Sequence, residues 1–288
     1  MNTTLLRSIC ALLLGASLLA QVAPVPVDPR EALLQATAKR YESPAWARGA
    51  RRAGPDLAAV ALRGFEGGAI ERLGAGPVQR FFADAGGENR VLVEVQVGTN
   101  VDAAQRHVLG WLTNVSSPGL VPTAAAAGIP LGDVGFVGWS KPAERRLAWL
   151  LFVRDNTAVR VVCLDPAANP HPDLTAIAQA VDAEIQRAPV VAAEALVPAP
   201  KVVRFAAAVA RCRAGERVPL QVTVDAAAGA PVLRFEFEGA GQGYVESDGA
   251  GGHVLCTTGP GRLVVRVCAT GTRCTTSTAT LTIEVGPR

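Results

Sequence analysis

Legible catalytic signatures are what this chain has least of. It holds three histidines, His107, His171 and His253, and contains no His-Glu-x-x-His, no Gly-rich phosphate loop and no Cys-x-x-Cys. Those gaps remove the common zinc, nucleotide and dithiol chemistries. A nucleophile elbow of the Gly-x-Ser-x-Gly type is missing too. Its nearest approach, Gly138-Trp139-Ser140-Lys141, lacks the second glycine. No carboxylates are paired at a defined spacing. Charge is also scarce: 18% of residues are charged and the formal net charge is +3, too little to imply a nucleic-acid partner. Beyond the first twenty residues no apolar run approaches the length needed to cross roughly 30 Å of hydrocarbon.

What is present begins with those twenty residues. MNTTLLRSICALLLGASLLA carries Arg7, then an apolar run from Ile9 to Leu19, and a small residue, Ala20, suited to peptidase cleavage. The run is too short for a membrane helix and reads as a secretory signal over 1–20. The expected location is therefore exported, periplasmic or extracellular. Cys10 lies inside the run, not after it, which argues against a lipoprotein anchor. Of the 28 basic residues three are lysine, a bias that reads as a GC-rich bacterial genome. Asn114-Val115-Ser116 matches a sequon and is inert under that reading. Apolar residues make up 49% of the chain, enough for real cores.

Two compositional regimes follow the signal. Residues 28–188 alternate helical and strand patterns. Asp28-Pro29-Arg30-Glu31 predicts a helix start, with the helix running to about Tyr41. Asp56–Phe65 reads as a strand, and Val78–Asp84 with Arg90–Val97 as a hairpin whose turn is Ala-Gly-Gly-Glu-Asn. Thr99 or Asn100 caps a helix to Leu112. Strands are expected at Val134–Trp139, Leu147–Arg154 and Thr157–Leu164, the last two joined at Asp155-Asn156, which tolerate positive φ. Pro172–Arg187 closes the region as a helix with Leu174, Ile177, Val181 and Ile185 on its apolar stripe. The pattern predicts an α+β domain with a mostly antiparallel sheet. Residues 189–200 carry three prolines and read as a linker. Residues 201–288 hold six strand patterns with Gly-rich turns and no helix, the spacing of a small β-sandwich.

Within 201–288, AGERVPLQV, LRFEFEG, TGPGRLVVRVCA and TATLTIEV resemble the strands of PKD-type and related immunoglobulin-like modules of exported bacterial proteins. The Gly-Asp-Gly of such modules is absent. The resemblance implies an all-β sandwich serving as spacer or adhesion module; residues 28–188 resemble no family. Cysteine usage fits an oxidising compartment. Val265, Val267, Leu281, Ile283 and Val285 mark the inner face, so Cys268 and Cys274 share the outer one, and folding about Gly271 sets them opposite each other within disulfide reach. Cys212 with Cys256 is then the implied second bond. Cys163, in Val-Arg-Val-Val-Cys, reads as a buried structural thiol with no adjacent histidine.

The remaining candidates each carry a plainer rival. Trp46, Arg51 and Arg52 form an aromatic-basic cluster that would suit a glycan or anionic head group, against a solvated surface. Asp165, His171 and Asp173 could converge on a metal, against a Pro-rich loop leading into a helix. Glu246 and Asp248 invite calcium, against a solvated turn. His107, Asp133, Arg154 and Asp155 are the polar residues that would line an enzyme pocket if one exists. No cofactor is implied. The expectation is an exported, non-enzymatic binding or envelope-associated protein whose partner is an envelope protein or glycan. The alternative is an envelope hydrolase with a site of scattered residues and an accessory sandwich.

Overall fold

The computed structural model describes residues 28–41, 49–72, 76–114, 121–144, 146–192, 199–225, 231–271 and 273–288. The signal segment 1–20 and Trp46 lie outside the described residues. What is described is a β-rich α+β structure in which almost every strand pairing is antiparallel.

The amino-terminal part runs α1 (Pro29–Arg40), β1 (Glu66–Arg72), β2 (Val78–Ala83), β3 (Asn89–Val97), α2 (Val101–Thr113), β4 (Val134–Lys141), β5 (Arg146–Arg154), β6 (Thr157–Cys163) and α3 (Leu174–Arg187). Its six strands form one antiparallel sheet in the order β1-β2-β3-β6-β5-β4. Period-two alternation decides the faces. Val91, Val93 and Val95 on β3 and Val159 and Val161 on β6 turn to α3, whose Leu174, Ile177, Val181 and Ile185 are at most 1% exposed. Each such side chain contributes about 1.5–3 kcal/mol relative to exposure in water. The opposite face, through Phe136, Leu151 and Val153, meets Ala104, Val108 and Leu112 of α2. Both caps follow the sequence: Asn100 accepts from the Ala103 amide at 2.9 Å, and Asp173 accepts from the Ala176 amide at 3.0 Å.

The strand expected at 56–65 is a correction. Asp56 caps a single 3-10 turn, Leu57–Ala59, and the Arg80 guanidinium gathers the carbonyls of Leu57 and Val60. These contacts hold the segment across the sheet, with Leu57, Val60 and Leu62 buried. Pairing starts later, at β1, where a register shift between Gly67 and Ile70 absorbs the glycines.

The carboxy-terminal part comprises β7 (Lys201–Ala207), β8 (Arg211–Arg213), β9 (Arg217–Asp225), β10 (Val232–Gly239), β11 (Gln242–Ser247), β12 (His253–Gly259), β13 (Gly261–Thr270) and β14 (Thr276–Gly286). Two four-stranded sheets, β10-β13-β14-β8 and β11-β12-β9-β7, share one core of Val218, Leu220, Leu255, Leu263, Val265, Ile283 and Val285. Strands β8 and β11 were not among the six patterns: one is three residues long, the other is Gln-Gly-Tyr-Val-Glu-Ser at a sheet edge.

Neither expected disulfide is present; the five described cysteines are free. Cys268 does face outward, opposite Thr278 on β14 and Arg234 on β10. The hairpin, however, closes with Thr270 opposite Thr276, so it folds two residues beyond Gly271. That leaves Cys274 in the turn with φ of 60°. Cys212 lies in the shared core, in hydrogen-bonding contact with Thr257. Because successive strand residues point to opposite faces, Cys256 turns away from it, toward Tyr244 and Arg217.

Candidate functional site

Among the described residues, two polar assemblies and one half-buried apolar sheet face are the places where chemistry collects. The first is a cleft of about 660 Å³ between α3 and the β4 edge of the sheet with the segment that precedes it, lined in part by Thr123, Gly132, Asp133, Arg154, Asp182 and Gln186. Arg154, at the end of β5, grips Asp182 through Nε and Nη2, both at 2.8 Å, and reaches Asp133 Oδ1 at 3.0 Å. Its two carboxylate partners hold the guanidinium firmly protonated, the Asp182 hydrogen bonds most of all. The second oxygen of Asp133 accepts from the Asp155 amide at 2.7 Å, and Asp182 also takes the Gly132 amide and the Gln186 side chain.

Next to it the β5–β6 turn is a buried knot. Asp155 and Asn156 occupy the expected turn, Asp155 with φ of 53°, yet they are 8% and 1% exposed. Asp155 accepts from the Ala50 amide and from Arg52 Nε. Asn156 accepts from the Arg52 amide and donates to the carbonyls of Arg52 and Gly98. Arg52 also donates to the Ala188 carbonyl, and Arg51 to that of Ala192. The basic pair therefore ties segment 49–53 to the turn and to the chain beyond α3.

Asp165, His171 and Asp173 are not brought together. Asp165 pairs with Arg90 at 2.6 Å, His171 Nε2 donates to the Leu147 carbonyl at 2.9 Å, and Asp173 caps α3. Among the described residues no three His, Cys, Asp or Glu side chains are placed to hold a metal. Glu246 pairs with Arg217, which holds its carboxyl below the usual range, and Asp248 folds its own turn through the amides of Ala250 and Gly252. Ser140 donates to the Arg146 carbonyl. The Cys163 thiol donates to the Asp165 carbonyl, and burial pushes its pKa up, away from nucleophilic use.

The surface is the α2 side of the six-stranded sheet. The helices concentrate over β5 and β6, so the β2–β3 end extends beyond them. One rung across that face reads Phe81, Leu92, Val162 and Trp149, all directly paired and all half-buried. The neighbouring rung is polar: Glu71, Gln79, Glu94 and Arg160. Glu94 and Arg160 form an ion pair, and Arg160 lies 5.8 Å from the Trp111 ring centroid. Trp111 meets His107 edge-on at 4.5 Å, one helical turn away. The imidazole is driven toward its neutral form, first by burial and then by Arg160. Leu164 prolongs the apolar side at 42% exposure.

The strand patterns do not single out Phe81, Leu92, Glu94, Arg160 or Val162. Alternation on single strands was visible; the rung needs the register of four. No protein-family model matches the chain, and no curated protein matches its sequence.

Proposed function

We propose that this is an exported binding protein of the bacterial envelope that recognises its partner through the exposed half of the six-stranded sheet. The observation that carries the reading is the rung Phe81–Leu92–Val162–Trp149, a half-buried apolar strip that starts at Trp149 beside the α2 core and continues across β6, β3 and β2. Contiguous apolar surface with a polar border is the usual mark of an interaction site. The flanking Glu94–Arg160 pair and the Trp111 ring add hydrogen-bonding and stacking groups at its margin. In this reading residues 1–20 are the export signal. The two-sheet part is a PKD-type or related immunoglobulin-like module, supported by the strand sequences of 201–288. The partner is an envelope protein or glycan.

The test is capture from cell-envelope extract by the mature protein, beside Leu92→Glu and Val162→Glu variants checked for native far-UV circular dichroism. A component held by the parent and lost by both variants is the expected result. Equal retention by all three overturns the assignment of the face.

One observation favours the alternative of an envelope hydrolase: the Asp133–Arg154–Asp182 cleft has the volume for a small substrate. Turnover of an ester or cell-wall substrate by the purified protein, abolished by a change in that cleft, would support it. The pairing of both carboxylates with Arg154 makes binding the better reading.

A further inference from the structure

The two parts of the chain meet along a defined seam. On β13 the inner residues Leu263, Val265, Val267 and Ala269 are wholly buried, as a sheet core requires. The outer residues change along the strand: Arg262 is exposed, Val264 and Arg266 are intermediate, and Cys268 and Thr270 are 3% and 2% exposed. A face that should meet water is covered at one end, and what covers it is β1, which packs against β10 and β13. Arg234 on β10 pairs with Glu71 on β1 at 3.1 Å, and Arg72 donates to the Thr276 hydroxyl at 2.6 Å.

The turn around Cys274 goes further. Cys274 packs against the core of the amino-terminal part, its thiol directed at the Pro55 carbonyl. A Cβ built on Gly54 would fall 2.0 Å from the Arg273 carbonyl oxygen, backbone against backbone. Pro200 lies against Gly271 on the same turn. At the other end of the connection, residues 51–53 pair with 189–191 through the Ala53 and Val191 amides. Both ends of the connecting segment are thus tied down, one to each part.

We infer that the two parts are a single cooperative folding unit, in which the β13–β14 turn closes the end of the amino-terminal core and the two-sheet part does not swing as a spacer. The junction is built from backbone contact, two polar ties that cross it and one side chain of the two-sheet part, Cys274, packed against the amino-terminal core. Opening it exposes the Leu57 and Val60 side of one core and the Cys268 face of the other together. A consequence is that the bare sheet face is presented at a fixed angle to the two-sheet part.

The four tryptophans, at positions 46, 111, 139 and 149, all precede the two-sheet part, so intrinsic fluorescence follows the amino-terminal part alone. Leu255, wholly buried in the two-sheet core, is remote from them. The experiment is urea unfolding of the full-length mature chain and of Leu255→Ala, read by tryptophan fluorescence and by pulsed alkylation of Cys163 and Cys212 resolved by peptide mass. The expected result is one midpoint for all probes in each protein, with Leu255→Ala lowering the fluorescence midpoint by the same amount as the Cys212 midpoint. A fluorescence midpoint that stays put while Cys212 becomes reactive at lower urea overturns the inference. Should Leu255→Ala not fold, Leu255→Val gives the same contrast with a smaller perturbation. Gly54→Ala, at the seam itself, is expected to lower the Cys163 and Cys212 midpoints together; movement of one alone counts against the inference.

Discussion

Replacing Arg154 by methionine keeps most of the aliphatic stem and removes the guanidinium from between Asp133 and Asp182. Three charge-assisted hydrogen bonds of 2.8, 2.8 and 3.0 Å disappear, each worth about 1.5–3 kcal/mol. The arginine's own desolvation cost, recovered on its removal, offsets part of that sum. What remains is dominated by Asp182, whose side chain is 9% exposed and is left with only the Gly132 amide and the Gln186 amide as partners. Stranding one member of a buried pair costs about 3–5 kcal/mol. Asp133, at 20% exposure, regains some water, so the lower end, about 3 kcal/mol, is the expected loss at pH 7. With a urea slope of about 3 kcal/mol/M, the top of the range for small proteins, the fluorescence midpoint falls by about 1 M. The signature is its reversal. Asp182→Asn added to Arg154→Met removes the stranded charge and should recover more than half of the loss. A single variant costing under about 1 kcal/mol, or a double variant no better than the single, would refute the view that Arg154 neutralises a buried carboxylate.

Gly138→Val should destabilise the protein strongly and shift the tryptophan emission, because a Cβ at that position sits 2.1 Å from Cε2 of Trp149; an unchanged emission maximum would refute the packing of the indole over β4. His107 is held neutral in the fold, its pKa below the unfolded value of about 6.5. The folded state therefore binds fewer protons than the unfolded one near pH 6, and stability conferred there is present above that value and lost as pH falls through the folded pKa. A His107→Gln variant should show a flatter stability curve between pH 7 and pH 5 than the parent; parallel curves would remove His107 as a contributor. Denatured without reductant, the chain from residue 21 onward should take up alkylating reagent at all five of its cysteines by intact mass, and a shortfall of two or four would restore the expected disulfides.

How much of this was legible from the chain depends on the range over which each feature is decided. The β3 run from Val91 to Val97, the Asn100 cap and the α3 stripe are local, set by periodicity and by one side chain answering an amide three residues on. They could be read directly, while the helix start expected at Pro172 falls at Leu174, with Asp173 as its cap. The Cys268–Cys274 reading shows the limit: outward parity was correct, but a two-residue shift in where the hairpin folds carried one thiol into the turn and against a core in the other half of the chain. Parity is a property of one strand, whereas turn placement answers to what the turn touches. Strand β1 was hidden for the same reason. Its Glu-Gly-Gly-Ala-Ile-Glu-Arg has little β-propensity and is held by β2 on one side and by the seam with β10 on the other.

The arginines mislead in an instructive way. Arg51 and Arg52 beside Trp46 looked like a surface waiting for an anion, and Arg154 beside Asp155 like the start of a catalytic site. In the fold Arg51, Arg52 and Arg80 close irregular backbone, donating to carbonyls of 57, 60, 188 and 192, with Arg52 also on Asp155 of the β5–β6 turn, while Arg154 binds Asp182 on α3 and Asp133 before β4. A guanidinium has five donors in a rigid fork, so one side chain can satisfy several carbonyls that have no strand or helix partner. In a chain with three lysines the same residue that decorates surfaces also does this internal work, and its position in sequence does not distinguish the two. In the proposed reading, recognition falls to residues that make no such internal tie. Phe81, Leu92 and Val162 point away from the main core, are not among the described residues packed on the α2 cluster, and remain apolar although a solvated strand face would ordinarily alternate to polar. That departure from the pattern, visible only once β2, β3 and β6 are set side by side, is what favours the bare sheet face over the charged clusters as the working surface.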